Sequence, residues 1–279
     1  MLLATCLALG SAVLHAFWNL AAKRADGDRF VVLWAQFAVS GAIGAVLLAV
    51  HAVTVGMPAS GYGWAALSGL VHLPYIWLLA LAYTYGDFSV SYPLARGGGA
   101  ALAAVLGVAL LGDHLGAGEV AGVAIVVGGL CLLSWGATRR NVGIALAVAL
   151  TIGTYTTIDA QGARSSGSLA YVLATFTAAA CTLSIAGLAS GRAAAFVDVI
   201  RRFWRRALVT GIAALVTYGM VLVAVRHAPV GYVAALRESS VVLGALAGWR
   251  LLGEGDHRRR IAAALIVLAG LITLVAAAT

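Results

Sequence analysis

The sequence predicts an all-α, polytopic membrane protein whose ten transmembrane helices form two inverted five-helix repeats. Three observations carry that expectation. Of 279 residues, 62% are hydrophobic and only 10% are charged, against roughly 25% charged in a soluble domain. The apolar residues fall into blocks of about 20, the length that crosses a bilayer as a helix. A segment of the first half also returns in the second half after a shift of 141 residues.

The formal charge of +8 could point to nucleic acid, but the basic residues sit between apolar blocks. There they read as the positive loops that set membrane orientation, so no nucleic-acid partner is expected. Cys6, Cys131 and Cys181 are isolated in apolar stretches without a C-x-x-C pair. Neither a disulfide framework nor a metal site follows, and no cofactor motif is present. The chain is apolar from Leu2 with no basic segment before it, which reads as a first span rather than a cleaved signal peptide.

The first span, residues 2–22, carries His15, Trp18 and Asn19, with Lys23 at its end. His15, Asn19 and Lys23 recur every four residues and so share one helix face. Trp and Lys suit an interfacial anchor, whereas the depth of His15 and Asn19 favours a polar cavity. After a charged link, residues 24–29, the second span covers 30–50, with Gln36, Ser40, Gly41 and Gly44 as packing positions. The third, 62–85, holds Pro74, Tyr75 and Trp77 near its middle. A proline there frees a backbone carbonyl and can kink the helix, and the aromatics suit either a pocket or the core.

The fourth span contains Tyr92-Pro93-Leu94-Ala95-Arg96-Gly97-Gly98-Gly99, and Arg96 is its only charge from Ser89 to Gly112. Charge inside a span is costly and normally faces a cavity or the bundle interior. Tyr92 and Arg96 share a face that is otherwise small. The glycines are no phosphate loop, since G-x-x-x-x-G-K-[ST] is absent. The fifth span, 120–135, has no internal charge. Arg139 and Arg140 separate the halves, giving units 1–138 and 139–279.

In the second half, the sixth span (142–160) carries Tyr155 among several threonines, then Asp159, which marks either a water boundary or a functional carboxylate. The seventh (168–188) is nearly featureless. Residues 192–206 place Phe196, Val199, Ile200 and Phe203 at helical spacing, with arginines on the other faces. That pattern predicts a helix lying on an anionic membrane surface. The eighth span (207–226) contains Thr217 and Tyr218, the ninth (230–252) contains Arg237 and Glu238, and the tenth covers 261–277.

Sliding residues 96–133 by 141 matches 237–274 without a gap. Thirteen of 38 positions are identical, among them Arg96/Arg237, Gly107/Gly248 and Gly129/Gly270. Five spans separate equivalent points, an odd number, so the halves lie in opposite orientations about an in-plane pseudo-two-fold axis. Each arginine lies about four residues from its helix centre, or roughly 6 Å along the axis at 1.5 Å per residue. Inversion then sets Arg96 and Arg237 on opposite sides of the midplane, bracketing a central site. A planar, permanently charged guanidinium suits a carboxylate or phosphate. The bland alternative is that each arginine satisfies helix-end carbonyls. Connections after spans one, five, seven and nine hold nearly all the basic residues, which puts both termini outside the cytoplasm.

The residues His15-Ala16-Phe17-Trp18-Asn19 with Lys23, the Tyr92-Pro93-Leu94-Ala95-Arg96 motif, and the Leu-Leu-Gly-Asp/Glu ends at 110–113 and 251–254 resemble the drug/metabolite transporter superfamily. The resemblance is to its ten-helix EamA-type members and covers essentially the whole chain. It implies two EamA repeats and a central cavity lined by spans one, three, four, six, eight and nine, with five and ten peripheral. It also implies export or exchange of small metabolites, amino acids or related solutes across a bacterial-type inner membrane. Asp113 stands where the family usually has Glu, and many members keep their termini in the cytoplasm, opposite to the loop charge here.

A small-molecule transporter working by alternating access is therefore expected in the lipid bilayer. Arg96 and Arg237 would hold an acidic group, and Trp18, Tyr75 and Tyr92 would pack the substrate's body. His15, Asn19, Tyr155 and Tyr218 complete the expected substrate-binding set. His15, Asp159 and Glu238 are the candidates for coupling to an ion such as the proton. Two other classes compete. A scramblase or flippase would need a polar groove open to lipid. An intramembrane aspartyl protease would use Gly253-Glu254-Gly255-Asp256 with Asp159, the one conceivable partner carboxylate. No H-E-x-x-H or G-x-S-x-G motif is present, and no catalytic residue is expected.

Overall fold

The computed structural model describes residues 2–112, 116–228, 233 and 236–277, with the side chains at 119, 134, 168, 274 and 275 excepted. The described residues form ten α-helices: α1 (Leu2–Lys23), α2 (Arg29–Thr54), α3 (Ala59–Tyr85), α4 (Phe88–Leu111), α5 (Ala117–Ser134), α6 (Arg139–Ser166), α7 (Ser168–Ala189), α8 (Ala193–Ala224), α9 (Ser240–Leu252) and α10 (His257–Ala277). Seven of them are long and apolar enough to cross a membrane, and shorter apolar runs occupy α5 and α9. Large apolar side chains such as Val13, Val46, Leu110, Leu150, Ile185 and Ile212 face outward. A water-exposed surface rarely presents so continuous an apolar belt, and lipid is its natural solvent.

The helices begin and end where local chemistry demands. Asp28 caps α2, accepting from the backbone N–H of Phe30 at 2.8 Å. Thr138 caps α6 through Asn141 N–H, and Gly112 and Gly253 close α4 and α9 in the left-handed conformation.

Two elements differ from expectation. The surface helix and the eighth span are continuous as α8, but the backbone leaves helical geometry at Phe203 (φ −126°, ψ 22°). The arm before this break is pinned to the bundle by Phe196, whose ring stacks on Trp34 at 3.6 Å. The ninth span is not one regular helix. Glu238 and Ser239 form a turn before α9, with short-range bonds from Ser239 N to Leu236 O and from Val241 N to Glu238 O. Most of its expected first part, residues 230–232 and 234–235, lies outside the described residues, as does Asp113.

The helix contacts follow a simple rule. α4 packs on α6 and α9 on α1, α3 on α6 and α8 on α1, and α3 on α7 and α8 on α2. The pairs α2–α7, α4–α9 and α5–α10 close the scheme. Raising each helix number by five maps the set onto itself. Small residues permit the close approaches: a Cβ at Gly99 would sit 2.5 Å from Ile152 Cγ2 of α6.

Charged contacts gather the odd-numbered connections at one end. Arg24 donates to Leu251 O, and Lys23 to the carbonyls of Tyr83 and Gly86. Arg192 pairs with Asp28, and Arg260 with Asp87. Glu254 accepts from the backbone N–H groups of Phe88 and Ser89, thereby capping α4 from the other half of the chain.

Candidate functional site

Between the halves lies a cavity. His15 and Trp18 reach it from α1, Gln36 and Phe37 from α2, and His72 and Tyr75 from α3. The second half supplies Tyr155 from α6, Thr175 and Phe176 from α7, Thr217 and Tyr218 from α8, and Arg237. His15/Trp18 and His72/Tyr75 are three residues apart and share a helix face, while Gln36/Phe37, Thr175/Phe176 and Thr217/Tyr218 are adjacent pairs. The aromatic rings pack mutually: His72 and Tyr155 centroids are 4.6 Å apart, Tyr75 and Tyr155 5.2 Å, and Phe37 and Phe176 5.5 Å.

The two arginines differ in their surroundings. Arg96, 4% exposed, is ion-paired with Glu238, 2% exposed. Arg237 has no carboxylate partner among the described residues. Its Nη2 lies 3.2 Å from His15 Nδ1, and its guanidinium carbon lies 5.8 Å from the Tyr218 ring centroid. Arginine can only donate, so Nδ1 accepts and the proton of a neutral His15 resides on Nε2. Among the described residues lining this cavity, His15 Nε2, Trp18 Nε1, Gln36 Nε2, Thr175 Oγ1, Thr217 Oγ1 and Arg237 Nε are buried without a hydrogen-bond partner.

A second cavity is bordered by Arg96, Thr156, Asp159, Tyr218, Arg237 and Glu238 among others. Tyr218 and Arg237 line both spaces and form the partition between them. Asp159 is fully engaged on the partition's far side. Its Oδ1 accepts from the Tyr171 hydroxyl at 2.8 Å, and its Oδ2 accepts from Tyr218.

Of the residues singled out in sequence, His15, Trp18, Tyr75, Tyr155, Tyr218 and Arg237 converge on the first cavity, and Arg96, Asp159 and Glu238 on the second. Asn19 and Tyr92 border neither. Asn19 accepts from the Tyr83 hydroxyl and donates to His15 O at 2.8 Å, while Tyr92 packs on Gly244 of α9 and stacks on Phe88 at 4.9 Å. Trp77 lies outside as well, against Phe30. Sequence reasoning missed His72, Phe37, Thr175 and Phe176 as cavity residues. The three-residue spacing of His72 and Tyr75 could have revealed the first, but nothing marked the α7 pair. Helices α2 and α7 thus line the first cavity, where α4 was expected.

The protease alternative loses its geometry here. Asp256 sits in the connection before α10, paired with Arg259 at 2.5 Å. Asp159 lies 20 residues along α6 from Arg139, about 30 Å from that end of the bundle at 1.5 Å per residue. Two carboxylates so far apart cannot share a proton.

A lipid-facing bundle of ten helices that encloses polar cavities between its halves defines a polytopic membrane protein of the transporter class. Residues 140–276 match the EamA-like transporter family, part of the drug/metabolite transporter superfamily. A transporter of small solutes is what that family describes. No curated protein matches the sequence. A crystal structure of another protein superposes over 99% of this chain and 97% of its own, with a TM-score of 0.65 at 16% identity. At that identity it speaks to the fold alone.

Proposed function

We propose that the protein is a secondary-active transporter of small organic solutes, moving them by export or exchange. Residues 1–138 and 139–279 act as two inverted five-helix units that rock about the central cavity and open it to each side in turn. The observation that carries this reading is the composition of the first cavity, to which α1, α2 and α3 of one unit and α6, α7 and α8 of the other contribute facing polar and aromatic side chains. The contact scheme, unchanged when each helix number is raised by five, supports the duplication.

The basic end, gathered by the odd-numbered connections, faces the cytoplasm of a bacterial-type plasma membrane, leaving both termini outside. Asp159 is the proton-coupling carboxylate, since it is buried, lacks a cationic hydrogen-bond partner and touches the partition residue Tyr218. The test is uptake into proteoliposomes loaded with amino acids and small organic acids, with and without an imposed pH gradient. Counterflow of a solute that fails in Arg237→Ala supports the reading. Rapid lipid scrambling with no solute flux replaces it with the scramblase reading.

A further inference from the structure

Most of the buried, unpartnered polar atoms of the first cavity are donors, although His72, which gives its Nδ1–H to Ser68 O, keeps Nε2 as an acceptor. Four of its buried, unpartnered atoms are N–H groups: His15 Nε2, Trp18 Nε1, Gln36 Nε2 and Arg237 Nε. The last three can only donate, and the His15 proton is placed on Nε2 by the guanidinium at its Nδ1. Thr175 and Thr217 add hydroxyls that can turn either way. No Asp or Glu lines this cavity among its described residues.

Buried donors without partners each cost the full desolvation of the group, so a ligand that supplies acceptors recovers that loss. The charge distribution sharpens the choice. Arg96 is ion-paired with Glu238, whereas Arg237 brings to the wall a guanidinium with no carboxylate ion-pair partner among the described residues. An ammonium group placed there would meet a cation and a row of N–H groups, with no carboxylate to receive it.

The geometry points to a small monocarboxylate with a flat body, further acceptor oxygens and no amine as the substrate class, its acid group held by Arg237. This rests on the transport reading for its physiological role, but the ligand preference stands as a property of the cavity alone. A 2-oxo or 2-hydroxy acid has that chemistry. Its carboxylate meets the guanidinium and His15 Nε2–H, its second oxygen meets Trp18 or Gln36, and its planar part lies between Tyr75, Tyr155 and Phe176. The corresponding amino acid carries the same body and acid group but adds a positive charge beside Arg237, with no carboxylate among the described lining residues to receive it.

The test uses the purified full-length protein and calorimetric titration with phenylpyruvate, phenyllactate, phenylalanine and phenethylamine. The two acids are expected to bind about tenfold or more tightly than phenylalanine, the scale on which unpaired buried polar groups discriminate, and phenethylamine not at all. Arg237→Gln should weaken acid binding by about tenfold or more, as loss of a buried charged hydrogen bond does. Phenylalanine or phenethylamine binding as tightly as the acids overturns the proposal, as does failure of both acids to bind or wild-type acid affinity in Arg237→Gln. If that variant does not fold, the ranking of the four probes on the wild-type protein decides. Proteoliposome flux separates the two readings. Acid binding without flux removes transport and keeps the ligand class, whereas flux of phenylalanine in preference to the acids keeps transport and removes the ligand class.

Discussion

Arg96 on α4 and Glu238 in the turn before α9 form a buried ion pair, each side chain less than 5% exposed. The pair joins the two halves of the chain in the protein interior, beside the second cavity. Replacing Glu238 with Gln strands the guanidinium, and a loss of about 3–5 kcal/mol is expected. Replacing both, Arg96→Met with Glu238→Leu, should restore most of that stability. Denaturant titration of the three proteins in detergent micelles checks the pattern.

The Glu254 carboxylate is the cap of α4 although it belongs to the far half, and Arg260 ties it to Asp87 and Ser89. Glu254→Ala should cost about 0.5–2 kcal/mol, the range for a lost N-cap. It should also loosen the basic end. With the three native cysteines removed, a cysteine at position 89 is expected to react faster with a membrane-impermeant thiol reagent in the Glu254→Ala background. Equal labelling rates would mean that this end is held closed by something else.

Tyr218 and Tyr171 both donate to Asp159, but only Tyr218 also faces Arg237. Each Phe replacement should cost about 1–3 kcal/mol by leaving a carboxylate oxygen unsatisfied. Their effects on transport should differ. Tyr218→Phe is expected to alter substrate affinity as well, while Tyr171→Phe leaves it unchanged. Asp159→Asn should abolish uptake driven by a pH gradient yet preserve counterflow. Gradient-driven uptake at the wild-type rate in that variant would exclude Asp159 as the coupling group.

Orientation has a direct test. A periplasm-active phosphatase fused after the last helix should be active, and a fluorescent protein that matures only in the cytoplasm should be dark at the same position. The opposite outcome would reverse the direction assigned from loop charge.

The helices and part of the cavity wall were legible in the sequence because each leaves a strong local mark. Apolar blocks of bilayer length, an arginine inside a span, and His15 with Trp18 on one helix face are all such marks. Residues seen as interchangeable were not. Sequence could not tell Arg96 from Arg237, because the difference lies in which of them Glu238 reaches, and that depends on the turn at 238–239. Nor could it separate Tyr92, spent on packing against Gly244, from Tyr75 and Tyr155, which face the cavity. Thr175 and Phe176 were invisible because their helix carries no charge or proline to mark its inward face.

The break at Phe203 has a consequence for how the protein sits in its membrane. The arm before it is held by the Phe196–Trp34 stack and bears Arg201 and Arg202 outward, a pattern that suits a float at anionic lipid headgroups. Any tilt of α8 must either carry that float with it or flex at Phe203. Changes in headgroup charge would thereby bear on the slope of the helix that holds Tyr218, and bilayer composition becomes a setting of the machine rather than its container.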